Sequence, residues 1–343
     1  MDEPKIRNME EFAAVSGISR PTVSKYFNDP GSVRQTTRNR IEQALERYDY
    51  RPNIYAMNQN RRLTKNIGIV VPYLADPFFA EIARNIETLV TEAGYRAILM
   101  SSHGKPQQEI DNLESLRSIR PAGVLLAPLG RASNRDALAA FCRDVPTVNF
   151  DCNVEGLGEA FVGHNNEQAT ELMVEYLVRT GEPPVFFEMR TPPNPNANKR
   201  RIAYVAAMER LGHAPEIVQI EGENWDFEGI GYREGARVIS ERALQSNTVF
   251  CSNDRLAIGF LAAAYELGLR VGRGEGCALR VAGHDNHPYS RYTCPTLTTV
   301  SHNYGLIAEK SVNTILSVIA AEDGGGERDM TLLDGELIMR ASA

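Results

Sequence analysis

From residue 66 onward, short apolar runs alternate with helix-length amphipathic segments, and no other feature of this sequence constrains its fold as strongly. The runs fall at 66–72, 95–102, 122–128, 146–151, 184–189, 216–221, 248–253, 279–285 and 296–300. Strands buried on both faces read as continuous apolar stretches, and helices between them imply parallel pairing through crossovers. Nine such strands are many for one sheet, so two similar doubly wound lobes with a cleft between them are expected. The fold class is therefore α/β.

In doubly wound sheets ligands bind beyond the carboxyl ends of the strands. Polar and aromatic residues follow several of the runs: Tyr73 with Asp76 and Phe78, Ser101 and Ser102, Asp151, Asn253 with Asp254, and Asp285. Carboxylates, amides and rings that stack on CH faces suit a small polyhydroxylated ligand. Asp76 and Asp254 have an equally good reading as caps of the following helices.

No stretch approaches the roughly 18 to 20 apolar residues of a membrane span, and the N-terminus lacks a signal-peptide pattern, so a cytoplasmic protein is expected. The five cysteines are odd in number and lack metal-ligand spacing, which suits reduced, buried thiols. The net charge of −7 argues against nucleic acid, but it hides a division. Residues 1–65 hold twelve Lys and Arg against eight Asp and Glu, a balance of +4, whereas the remainder holds 25 against 36, a balance of −11. A small basic head precedes a large acidic body.

In the head, apolar residues recur at helical spacing: Met9, Phe12 and Ala13, then Ile18, Val23 and Phe27, then Ile41, Ala44, Leu45 and Tyr48. Three short helices follow from this spacing. Gly17 suits a tight turn between the first two, Ser19 an N-cap, and Pro21 the first turn of the helix expected over 20–28. The combination is a helix-turn-helix signal. Ser19, Arg20, Thr22, Ser24, Lys25 and Asn28 are types able to face DNA, Arg and Lys on guanine edges or phosphates and the others mostly on phosphates. A solvated polar face is the alternative.

Three blocks, 19–28 (SRPTVSKYFN), 33–41 (VRQTTRNRI) and 50–53 (YRPN), resemble the N-terminal signature of the lactose-repressor (LacI/GalR) family of bacterial transcription regulators. The resemblance implies that Arg20, Pro21 and Lys25 read major-groove bases, with Pro21 limited to apolar contact or shape. It implies phosphate contacts for Ser19, Thr22, Ser24, Asn28, Thr37 and Asn53, and another base contact at Ser32. Residues 51–65 correspond to a hinge that in the family becomes a short helix on the operator and wedges side chains into the minor groove. Here the matching run is Ala56-Met57-Asn58-Gln59, with polar Gln59 where the family places a leucine wedge, so Met57 is the candidate for insertion and a weaker kink is expected.

For the body the resemblance implies a periplasmic-binding-protein-like architecture: a head at 1–50, a hinge at 51–65, one lobe from 66–163 and 303–328, and the other from 164–302 and 329–343. The run 198–204 (NKRRIAY) is similar to the family segment that places its effector-binding arginine on Arg200. Cys251-Ser252-Asn253-Asp254 resembles the family's Asn-Asp motif, and Val281-Ala282-Gly283-His284-Asp285 the segment whose Asp contacts effector. Trp225 lies where members carry a stacking aromatic, with Phe227 as a fallback, and His302 follows the crossover strand, facing the cleft. The Gly272–Gly276 stretch follows a helix and lacks the Lys-Ser/Thr of a phosphate loop, so it reads as a surface turn.

The expected function is a sequence-specific DNA-binding regulator, a repressor controlled by a sugar or sugar derivative in the cleft, acting as a homodimer on a near-palindromic operator. No leucine heptad follows residue 342, which favours a dimer over a coiled-coil tetramer. No nucleophile-base pair, cofactor fingerprint or metal-ligand spacing is present, so catalysis, a cofactor and a metal are not expected. A solute-binding sugar receptor remains the alternative, and an α/β enzyme a weaker one.

Overall fold

The computed structural model describes residues 6, 8–48, 50, 64–321 and 329–343, with the Asn28 side chain outside that description. Two compact units result, Met1–Thr64 and Lys65–Ala343.

The first unit contains α1 (Met9–Ser16), α2 (Arg20–Asn28) and α3 (Gln35–Tyr48), with a 3₁₀ turn at Pro30–Ser32. Their ends follow from local chemistry. The Asn8 side chain accepts from the Glu11 N–H at the start of α1, and Gly17 ends that helix at φ 64°, a left-handed conformation open to residues without Cβ. Ser19 then caps α2 through the Thr22 N–H. Phe12, Ile18, Val23, Ile41 and Tyr50 bury their side chains together, and the Phe12 and Tyr50 rings stack at 4.7 Å.

The second unit is built on two parallel sheets. The first has the order β11 (Asp329–Leu333), β5 (Ala160–His164), β4 (Thr147–Phe150), β3 (Gly123–Leu126), β1 (Asn66–Val71), β2 (Arg96–Ser101). Neighbouring strands in it all pair in parallel. The second has the order β7 (Ile217–Ile220), β6 (Val185–Met189), β8 (Thr248–Cys251), β9 (Arg280–Ala282). An antiparallel ribbon of β10 (Thr299–Ser301) and β12 (Glu336–Ile338) continues it through the Ala282–Thr298 bridge.

The first sheet carries α4 (Pro77–Glu92), α5 (Pro106–Ile119), α6 (Arg135–Asp144) and the returning α11 (Tyr304–Ala320). The second carries α7 (Asn166–Thr180), α8 (Ala197–Arg210), α9 (Phe227–Ser240) and α10 (Asp254–Glu266). The chain crosses between lobes after β5, after β10 and after β11.

Each apolar run holds a strand, shortened at its ends where Pro and polar residues leave the ladder, except that β10 overlaps only the end of its run and extends to Ser301. Three strands lie outside those runs: β5, which carries Gly163 and His164, and the polar edge segments β11 and β12. Because β11 pairs with β5, residues 329–333 belong to the first sheet, and the crossing expected near 328 falls after Leu333. The expectation of buried thiols holds for Cys152 and Cys251, whereas Cys294 is exposed and Cys142 and Cys277 are half-buried. Gly272–Gly276 is an exposed turn apart from buried Gly272. Among the described residues no helix is long and apolar enough to cross a membrane.

Candidate functional site

In the head, α2 turns Val23 into the core and leaves Ser19, Arg20, Pro21 and Lys25 exposed, with Thr22 and Ser24 half-buried. The Ser19 and Thr22 hydroxyls lie 2.8 Å apart, so the cap orders both groups at the helix start. Arg20 approaches Glu10 at 3.8 Å, a loose surface pair that binds neither side chain firmly. Ser32 is exposed and donates to the Asp29 carbonyl, and Thr37 is half-buried in the first turn of α3. Asn53, Ala56, Met57 and Gln59 lie outside the described residues.

In the body, loops beyond the strand ends of both sheets enclose a cleft of about 450 Å³, open solvent at its mouth included. Asp76, Phe78 and Asp151 line it from one lobe, and Arg200, Trp225, Asn253 and Asp285 from the other. Asp76 caps α4 by accepting from the Phe78 N–H at 3.0 Å, and its second oxygen accepts from Arg255 across the cleft at 3.0 Å. Asp76 thus caps α4 and also lines the cleft. Burial raises its pKa, an effect Arg255 only partly offsets.

Arg200 is 2% exposed and spends its guanidinium on Asn166 Oδ1 (3.0 Å), the Ser252 carbonyl (2.8 Å) and Asp285 Oδ1 (2.6 Å). Burial opposes ionisation of Asp285, but Arg200 and His284 outweigh it and hold its pKa at about 2. Asp151 is the opposite case: burial pushes its pKa up to about 7, so at neutral pH it offers both a donor and an acceptor. Asn196 Nδ2 reaches it across the cleft at 3.0 Å. Asp151 (φ 60°) and Asp285 (φ 111°) both stand in backbone conformations costly for residues with Cβ, a strain that gathers at ligand sites.

Tyr73 does not line the cleft but stacks on Trp225, rings 5.3 Å apart and 12° from parallel, joining the lobes. Gly104, at φ 70°, lies so close that a Cβ there would come within 2.6 Å of Trp225 Nε1. Phe78, Phe79 and Phe227 complete an aromatic wall.

His302 is a correction. It lies behind Asp285 and does not face the cleft, because Ser301 pairs with Asp285 and side chains alternate along an extended segment. Asp254 is structural as well: it is fully buried, and its carboxylate accepts from the hydroxyls of Ser290 (2.5 Å) and Thr299 (2.6 Å) and the N–H of His287 (2.8 Å). Asn253 caps α10 through the Leu256 N–H. Sequence reasoning missed Phe79, Asn194, Asn196, Arg255 and His287 as lining residues. Asn194 and Asn196 follow the end of β6, where the strand-end rule applied to the Pro-rich loop would have found them.

Comparison with known proteins follows the same division of the chain. The profile of bacterial regulatory proteins of the lacI family matches residues 8–53, and that of the periplasmic binding protein-like domain matches residues 174–343. The HTH-type transcriptional repressor PurR of Histophilus somni (strain 129Pt) is 26% identical over 339 residues, 97% of this chain and 98% of the relative. The ribose operon repressor of Escherichia coli (strain K12) is 26% identical over 309 residues, 90% and 92% of the two chains. The crystal structure of the Lac repressor bound to ONPG superposes with a TM-score of 0.83 at 23% identity, covering 99% of this chain and 100% of that one. A helix-turn-helix head that matches the lacI family of bacterial regulatory proteins is thus joined to a periplasmic-binding-protein-like body, and the chain is similar along almost its whole length to repressors built the same way.

Proposed function

We propose that the protein is a cytoplasmic, operator-specific transcriptional repressor whose DNA binding is controlled by a small polyhydroxylated metabolite in the cleft. The observation that carries this reading is the pairing of a capped α2, exposing Arg20, Pro21 and Lys25, with a body cleft walled by Trp225 and supplied by Asp76, Asp151, Arg200 and Asp285. Arg20 and Lys25 read bases, Pro21 contributes shape, and Ser19, Thr22, Ser24, Asn28, Ser32 and Thr37 fix register on the backbone or an outer base. A homodimer presents two heads to a near-palindromic site. The boundary between head and hinge near 50 and the hinge over 51–65 belong to this proposal.

The charge arrangement narrows the ligand. Arg200 is paired with Asp285, and Arg255 with Asp76 and Glu228, so no described lining cation is free for a phosphate. Alternating acceptors and amides beside aromatic faces suit a neutral sugar, sugar alcohol or sugar derivative.

A thermal-shift screen of full-length protein against sugars, sugar alcohols and sugar acids tests the cleft, since ligand at 100 times its Kd adds about 2.7 kcal/mol of stability. Selection of operator sequences with wild type and Arg20→Ala tests the head: base preference relaxes in the variant. Asp285→Ala is expected to abolish effector response and spare operator binding. Loss of DNA binding with the fold intact would refute the site assignment.

A further inference from the structure

Three of the six histidines meet behind the floor of the cleft. His164 ends β5, His284 follows β9 and His302 follows β10; all three are buried, His284 and His302 around the Asp285 carboxylate and His164 against the His302 ring with its Nε2 3.9 Å from Asp151 Oδ1. His284 Nδ1 lies 3.1 Å from His302 Nε2 and 3.4 Å from Asp285 Oδ1, and His302 Nε2 lies 3.6 Å from the same oxygen.

We propose that His284 Nδ1, His302 Nε2 and Asp285 Oδ1 form a site for one divalent transition-metal ion of the zinc class, with His164 as an adjacent donor. Zinc bonds of about 2.0 to 2.1 Å in tetrahedral array place ligand atoms about 3.3 to 3.4 Å apart. The three observed separations bracket that value, so an ion seats on this face with little movement of its donors. Two imidazoles and one carboxylate select zinc, cobalt, nickel or copper over magnesium and calcium, which take oxygen ligands.

One of His284 Nδ1 and His302 Nε2 donates to the other, so an ion takes the place of that shared proton, which moves to the unpartnered nitrogen of the same ring. Arg200 holds Oδ1 as an outer partner, leaving another lone pair of that oxygen for the ion; its charge lowers affinity without removing a donor.

His164 supplies the second, independent pointer. It is 3% exposed, neither ring nitrogen has a hydrogen-bond partner among the described residues, the Asp151 carboxylate standing 3.9 Å from Nε2, and its ring centroid lies 3.7 Å from that of His302. A buried imidazole with both polar atoms unanswered is costly unless something else engages it. A surface groove of about 1030 Å³, open solvent included, bears Glu81, Asp334 and Glu336 and passes His302, whose side chain is itself fully buried, so an ion enters by local opening there. Because His164 and His302 stand at crossings between the lobes, a bound ion would tie those crossings to Asp285.

The test uses chelator-stripped full-length protein without effector, titrated with Zn²⁺ alone by calorimetry and with Co²⁺ as an absorption probe. One ion per chain and a tetrahedral Co²⁺ spectrum free of thiolate charge transfer are expected. Affinity falls on the order of 100-fold in His284→Gln and His302→Gln, and is unchanged in His213→Ala. Absence of binding, or binding unaltered in His302→Gln, overturns the site. Thiolate bands would assign the metal to cysteines and overturn it too, and the wild-type spectrum keeps the test decisive where a variant fails to fold. The effector screen is separate, so either reading can fail alone.

Discussion

The Asp76–Arg255 pair spans the cleft, and its two ends should respond unequally to removal. Asp76 is 6% exposed and its pKa is raised by burial despite the guanidinium, so the folded protein already disfavours its charge. Asn at this position keeps an oxygen for the Phe78 N–H, and Arg255 keeps both bonds to Glu228 (2.7 and 2.6 Å), so Asp76→Asn should cost less than about 1 kcal/mol. Arg255→Met instead strands a buried carboxylate. Leaving one member of a buried pair uncompensated typically costs about 3 to 5 kcal/mol. Proton uptake caps that penalty: neutralising a group of ordinary pKa 3.8 at pH 7 costs about 4 kcal/mol at about 1.36 kcal/mol per unit. The expected loss is therefore about 2 to 4 kcal/mol at pH 7, shrinking by about 1.4 kcal/mol for each unit of pH lowered toward 5.

Urea unfolding of wild type, both single variants and the double variant at pH 7 and pH 5 measures this directly. The double variant strands no carboxylate and should be more stable than Arg255→Met, giving a coupling of about 2 to 3 kcal/mol, because the lost Glu228 and Phe227 contacts of Arg255 are common to both and cancel in the cycle. Opening of the lobes would also hydrate the stranded carboxylate, and small-angle scattering would register it as an increased radius of gyration. Equal costs for the two single variants, with no coupling and no change in compactness, would refute the claim that this pair holds the cleft closed.

Gly104→Ala places a Cβ 2.6 Å from Trp225 Nε1 at φ 70°, so a loss of about 1 to 3 kcal/mol is expected, together with a shifted emission from the single tryptophan and weaker effector binding. Phe12→Ala removes the ring stacked on Tyr50 in a small core and should cost about 3 to 5 kcal/mol. It should abolish operator binding in a gel-shift assay and leave the effector-induced thermal shift of the body intact. The buried carboxylates Asp151 and Asp254, both raised to about 7, bind protons more tightly folded than unfolded. Each therefore contributes stability that falls as pH rises from about 4 to about 7, by up to about 1.4 kcal/mol per unit, against the opposite slope that the buried histidines contribute up to about pH 6.5; Asp151→Asn should remove its share of the fall, and an unchanged pH slope of the unfolding free energy in that variant would contradict the assignment.

Much of this was legible in the residues, for reasons that differ by element. The span of α2 follows from Gly17, Ser19 and Pro21, which are local signals with local consequences. The strand-end rule found Asp76, Asp151 and Asp285, because the end of an apolar run is marked in sequence wherever its neighbours lie. Arg255 carried no such mark: its partner is 179 positions away, and only closure of the lobes brings the two together. His302 was placed in the right crossing but on the wrong side, since one residue of register reverses a side chain's direction. Its neighbours His164 and His284 are separated in sequence by whole lobes, so no spacing pattern revealed their meeting.

The division of the lining residues between lobes restricts what the effector can be. A ligand shifts a conformational equilibrium only through a difference in its affinity for the two states. One that touched Arg200, Trp225 and Asp285 alone would bind open and closed bodies equally, whatever its affinity, because all three come from the same lobe. Regulation therefore requires simultaneous contact with Asp76, Phe78 or Asp151 on the opposite side. Contacts within the protein raise the demand further: Asp76–Arg255, Asn196–Asp151 and Tyr73–Trp225 join the lobes. An effector that merely replaced these contacts would change nothing, so it must either add to them or break them. A compact polyhydroxylated ring, with its CH face on Trp225 and its hydroxyls between Asp151 and Asp285, adds to them, and truncating its hydroxyls on the Asp151 side should reduce allosteric response more than it reduces binding.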